Sequence, residues 1–131
     1  MPPSRSLGTV LLVALTLAGC QKALNDQRQV EVKSAEIRSV LYDVQKREKT
    51  VRVSVRSPGV AVDAYLVLEK DRDALVKQLE ASGKPSGALA ERLKVEDATL
   101  EGRIPAGSAF ALVLANSRKD TTVTVQTTEG K

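Results

Sequence analysis

The 131-residue sequence has no histidine, no tryptophan and one cysteine. Without histidine there is no imidazole general base, no Ser-His-Asp triad and none of the commonest metal ligand. The single cysteine, Cys20, allows no disulfide within the chain and no zinc site of the multi-cysteine kind. Aromatic side chains are down to Tyr42, Tyr65 and Phe110. Single-stranded nucleic acid is held by stacking bases on aromatic rings, so that partner class is excluded. The net charge of +4 is a mild excess, not the footprint of a nucleic-acid binder. There is no glycine-rich phosphate loop, and no apolar run reaches the roughly 20 residues that a membrane-spanning helix needs. These absences argue against an enzyme and imply no cofactor and no metal.

The N-terminus is what the sequence has most clearly. Arg5 precedes an apolar run, Leu7 to Leu17, which ends in Leu17-Ala18-Gly19-Cys20. A positive start, an apolar stretch of about 7–15 residues and small residues at its end form the pattern of a secretory signal. The last four residues resemble the lipobox of bacterial lipoproteins. That resemblance implies cleavage after Gly19, a diacylglycerol thioether on Cys20, and acylation of the freed amine in many Gram-negative bacteria. Each buried CH₂ contributes about 0.8 kcal/mol, so two or three acyl chains anchor stably where one does not. Gln21 is not the aspartate that retains such proteins in the inner membrane, which points to the outer membrane of a Gram-negative envelope. On this reading residues 1–19 are a signal peptide, residues 20–29 a lipidated polar tether, and residues 30–131 the folded domain. Losing Arg5 with the leader takes the 20 basic residues to 19 against 16 acidic ones, a net charge of +3.

From Val30 onward the apolar residues recur at every second position. Val30 and Val32 alternate with Glu31 and Lys33. Val40, Tyr42 and Val44 form a second run, and Val51, Val53 and Val55 the cleanest one. Ser57-Pro58-Gly59 is a turn, with proline presetting φ and glycine allowing φ > 0. Val60 to Leu68 reads as a strand whose second half is central. Ala98 to Ile104, Ala109 to Ala115 and Thr121 to Thr127 are three more. Two charged or polar segments, Gln45 to Lys49 and Asn116 to Asp120, read as hairpin loops. One helix interrupts the strands near residues 71–82. Asp71 is its expected N-cap and Gly83 its expected C′ residue, with Leu75, Val76 and Leu79 on one face. Ala88 to Leu93 reads as a second short helical segment with Leu89 and Leu93 inward.

About seven short strands with turns between them predict a mainly β fold, an antiparallel β-sandwich with a short helical insertion. The helix is expected over a sheet edge or an open end of the sandwich. Ile104 to Thr127 resembles the closing hairpin of small bacterial extracytoplasmic β-sandwich modules, a likeness that bears on the fold and on no ligand.

The chemistry-bearing residues are sparse. Asp71 with Asp73, and Glu96 with Asp97, offer too few oxygens for calcium, which takes six to eight. The serines near lysines, such as Ser82 and Ser86 beside Lys84, match no catalytic spacing. The one surface hypothesis concerns cations: Lys46, Arg47 and Lys49 on one loop, Arg118 and Lys119 on another, and Arg52 and Arg56 outward on a strand. If both loops share one end of the sandwich, they form a face for anionic headgroups or an anionic polymer. The function expected is that of a membrane-anchored envelope lipoprotein, a non-enzymatic interaction or structural module. The alternative is a carrier of a small or lipidic ligand, in a pocket between the sheets or under the helix.

Overall fold

The computed structural model of the chain describes residues 24–116 and 118–129. The leader, Cys20 and Gln21 lie outside the described residues. Eight strands and one helix follow one another as β1 (Asn25–Val32), β2 (Ile37–Gln45), β3 (Lys49–Arg56), β4 (Val62–Leu68), α1 (Glu69–Glu80), β5 (Ala90–Val95), β6 (Asp97–Ile104), β7 (Ser108–Ala115) and β8 (Thr121–Glu129). They form two four-stranded antiparallel sheets, one in the order β1-β8-β3-β6 and the other β2-β7-β4-β5. The sandwich with a helical insertion is therefore the observed fold, with eight strands where about seven are read from the sequence.

Between the sheets the period-two residues meet as the spacing dictates. Val51, Val53 and Val55 of β3 and Val123 and Val125 of β8 face Phe110, Leu112 and Leu114 of β7, all fully buried. On β6, Gly102 faces inward against Leu66 and Leu89, where an added Cβ would come within 2.8 Å of Leu66 Cδ2. The outer face of the first sheet is wholly polar. Across its centre Gln27, Gln126, Ser54 and Thr99 stand in one row from β1 to β6. The outer face of the second sheet is apolar: Tyr65, Val67, Ala111 and Val113 are buried there together with Leu75 of α1. This is why Ala109 to Ala115 is apolar on both phases, since a strand covered on both sides reads as a continuous run.

Several sequence expectations are corrected by this arrangement. The helix lies on the outer face of the second sheet and caps neither an edge nor an open end, because β4 and β7 present an apolar face that must be covered. It begins at Glu69, with Leu68 as N-cap and no side-chain cap, so Asp71 sits inside the first turn, where its charge meets the positive end of the helix dipole. Its C-terminus is a Schellman turn. Ser82, not Gly83, takes the left-handed position at φ 59, with Ser82 N–H donating to Leu79 O at 3.0 Å and Gly83 N–H to Gln78 O at 2.8 Å. Ala88 to Leu93 is no helix. Its second half opens β5, which pairs along the free edge of β4 from Leu66↔Ala90 to Val62↔Val95. Leu93 is exposed rather than inward, and Leu89, although 38% exposed, lies against Gly102. Six residues are too few to sustain a helix alone, and an unpaired strand edge supplies every second backbone partner.

The polar stretch ahead of Val30 also changes character. Residues 25–29, read as tether, form most of β1, paired with β8 from Asn25↔Thr128 to Val32↔Thr121. Backbone pairing needs no apolar sequence, so this strand leaves only a weak alternation to read. Leu24 packs against the core, and its N–H donates to Glu129 Oε1 at 3.2 Å. Finally, Gln45 to Lys49 and Asn116 to Asp120 are not hairpin loops. Each carries the chain from the second sheet to the first, so the segment from Ile104 to Thr127 runs from the end of β6 through β7 into β8, strands that alternate between sheets.

Candidate functional site

The strand directions place the loops. β2 runs from Ile37 to Gln45 beside β7, whose Ala115 pairs with Ile37 and whose Ser108 pairs with Gln45. One end of the sandwich therefore carries Leu24, the loop after Gln45, the turn at Pro105 to Gly107, and Glu129. The other end carries the turn before Ile37, the Ser57-Pro58-Gly59 turn and the loop after Ala115. Eight-residue strands separate the two ends by roughly 25 Å.

The seven basic residues do not converge. Lys46 and Arg47 are exposed at the first end, with Lys49 beside them but drawn into an ion pair with Glu129 at 3.2 Å. Arg118 and Lys119 are exposed at the opposite end. Arg52 lies on the polar face of the first sheet, paired with Glu101 at 3.2 Å, and Arg56 sits further along the same face beyond Ser54. The condition on which a single cationic face depends, two loops at one end, is not met. The carboxylate pairs do structural work. Glu96 Oε1 accepts from Gly59 N–H at 3.0 Å, and Asp73 pairs with Arg72 at 2.9 Å. Among the described residues no three acidic, histidine or cysteine side chains gather as a metal site.

What the fold does assemble is a pocket of about 420 Å³ at the end remote from Leu24, between the last turn of α1 and the rim of the second sheet. The strand period builds its floor. Asp63 and Tyr65 share the outward phase of β4, while Ala64 and Leu66 between them enter the core. Asp63 is held by Lys94 N–H, which donates to its Oδ1 at 2.8 Å. Glu36 is held by the turn it closes: Glu36 N–H donates to Lys33 O at 3.0 Å, and Lys33 N–H to Glu36 Oε1 at 2.8 Å. Ala35 adopts φ 61 in this turn. Asn116, 3% exposed, ties this turn to the loop after β7, its N–H donating to Glu36 O and its side-chain amide to Val32 O and Lys119 O. Leu79, Ser82, Gly83 and Pro85 close the pocket from the helix side.

The charged groups that line the pocket, Glu36 and Asp63, are acidic, with Arg38 paired to Glu36 at 3.8 Å on its rim. Burial pushes the Tyr65 phenol up to about 12, and the charges of Asp63 and Glu91 push the same way. Tyr65 is therefore a neutral hydroxyl at any physiological pH. The C-terminal end of α1, which carries the negative end of the helix dipole, abuts the same space. None of these residues stands out in the sequence. Asp63 and Tyr65 could have been found as the two polar side chains, on one phase, of a strand that is otherwise apolar, but Glu36, Leu79 and Asn116 reach the site only through the topology.

No protein-family model matches the chain, and no curated protein matches it either. In fold it is similar to PliG of Aeromonas hydrophila, a periplasmic lysozyme inhibitor of g-type lysozyme, with a TM-score of 0.59 at 11% identity over 87% of this chain and 93% of that one. It is also similar to the Yersinia pseudotuberculosis-derived mitogen YPM, with a TM-score of 0.57 at 8% identity over 84% of this chain and 89% of that one. At these identities the likeness concerns the fold. Among the described residues no helix is long and apolar enough to cross a membrane.

Proposed function

We propose that this chain is a lipid-anchored, non-enzymatic protein-interaction module of the bacterial cell envelope. The observation that carries the reading is polarity of the molecule. The chain enters the sandwich at Leu24, only four residues after Cys20, while the acidic pocket and its loops lie at the opposite end. Four residues span at most about 14 Å, so an acylated Cys20 would hold the entry end near the lipid and present the other end outward. Lys46 and Arg47 would then meet the headgroups, adding about 1 kcal/mol each on an anionic surface. With Gln21 after the cysteine, the outer membrane of a Gram-negative envelope is the address proposed.

Two further facts support an interaction role. One neighbour in fold is, by description, an inhibitor of another protein and one is a mitogen. The space between the sheets is filled by Val, Leu, Ile and Phe side chains, which speaks against a carrier holding a lipid there. The test is chemical crosslinking of the full-length protein in its own membrane fraction, followed by pull-down, with Cys20→Ala as control. A specific protein captured with the anchored form alone is the expected result. Capture of lipid or wall polymer only would overturn the reading.

A further inference from the structure

We infer that the pocket at the outward end receives the charged end of a lysine or arginine side chain of the partner protein, an inference that rests on reading the chain as a protein-binding module. The lining divides into two chemistries. Ile37, Leu79 and Pro85 give apolar walls against which a methylene stem can pack. Glu36 and Asp63 supply acceptors of opposite sign to an ammonium or guanidinium group, and such charge-assisted bonds are the strong ones. Lysine and arginine are the side chains that combine an apolar stem with a cationic tip.

Three observations beyond the two carboxylates bear on the guest, the first on its polarity and the other two on its sign. Tyr65 is 3% exposed and lines the pocket, yet its hydroxyl makes no hydrogen bond among the described residues. The hydroxyl is open to solvent and so is available to an occupant or to water. The negative end of the α1 dipole reaches the same space through Leu79 and Ser82. Among the described residues no lysine or arginine lines it. The cations around it leave room for a guest: Arg38 pairs with Glu36 Oε2 at 3.8 Å at the exposed rim, Lys94 and Arg118 line an adjoining depression that shares Asp63 and Ala115 with the pocket, and Lys84 is exposed. An open mouth at the end remote from the anchor suits a side chain inserted from a second protein.

The test uses the full acylated chain in lipid nanodiscs, labelled with ¹⁵N. It is titrated with Nα-acetyl-lysine N-methylamide and, as the neutral isostere, Nα-acetyl-norleucine N-methylamide. Expected are saturable amide shifts around Ile37, Asp63, Tyr65 and Ser82 with the lysine probe and none with norleucine. Asp63→Asn and Glu36→Gln keep the acceptors that Lys94 and Lys33 use, so the fold is retained while affinity for the probe falls by about fivefold or more. Tyr65→Phe should weaken it less. Equal shifts with norleucine, no shifts with lysine, or unchanged affinity in the carboxamide variants would each overturn the inference. The two readings fail separately. Probe binding with no protein captured on crosslinking would sink the protein-partner reading, whereas capture that persists in the carboxamide variants without probe binding would sink the pocket.

Discussion

A few side chains hold the two sheets in register. The Tyr42 hydroxyl, in β2, and Thr127 Oγ1, in β8, are 2.7 Å apart across the core, and the Tyr42 ring stacks on Phe110 with centroids 4.6 Å apart. The Arg28 guanidinium lies 4.7 Å from the centre of the Tyr42 ring. Tyr42→Phe keeps the stack and strands the buried Thr127 hydroxyl, so urea unfolding should show a loss of about 1–3 kcal/mol; Tyr42→Phe with Thr127→Val should recover part of it. Glu129 clamps the entry end, accepting from Leu24 N–H and pairing with Lys49. Those bonds hold its carboxyl below the ordinary value, with the Leu24 N–H the largest cause. A lowered folded-state pKa gives stability that is present above the unfolded value of about 4.3 and is lost as pH falls through the folded one. The wild type should therefore be the more stable above the unfolded value, and its advantage over Glu129→Gln should shrink below that value and vanish as pH falls through the lower folded-state one. Parallel urea midpoints from pH 6 to pH 3 would refute this.

At the scale of elements, the helix is the part with most at stake. α1 has poor amphipathicity, and among its residues Leu75 alone is buried, seated between Tyr65, Val67, Ala111 and Val113. Leu75→Ala should cost about 2–5 kcal/mol and leave a cavity under the helix. Because the helix end also shapes the pocket, amide exchange from Leu79 to Gly83 should speed up in that variant more than exchange in β3. The helix was legible from Leu75, Val76 and Leu79 at helical spacing, but its seat was not, since spacing says which face is apolar and not what covers it. The opposite failure occurs at β5. Its Ala90-Glu91-Arg92-Leu93 has no strand pattern, and only the free edge of β4 makes it one.

For the molecule as a whole, connectivity matters most. Every link between consecutive strands passes from one sheet to the other except the one that contains α1. No strand can therefore pair with its neighbour in sequence through a short hairpin, and nearly all pairing must await contacts distant along the chain. Loop closure is needed before such contacts give any return, which places folding in the range of about milliseconds to seconds. Stopped-flow refolding followed by tyrosine fluorescence should show a single slow phase; completion within the dead time would contradict the topology. The same connectivity gives the molecule two unlike ends, one at Leu24 and one at the pocket.

The alternating valines of β3 and β8 and the doubly apolar β7 dictate strands and a buried core from sequence alone, because burial on one face or two writes itself into a period of two. Turn residues such as Pro58 and Gly59 are equally local, and the lipobox-like Leu17-Ala18-Gly19-Cys20 needs no fold to be read. Which strands pair is another matter. A charged loop such as Lys46-Arg47-Glu48 looks the same whether it joins two strands of one sheet or crosses between sheets. The dispersal of the seven basic residues and the convergence of Glu36, Asp63, Tyr65 and Leu79 both follow from that crossing pattern. They are long-range consequences of how two sheets bury a common core, and no local stretch of the chain carries them.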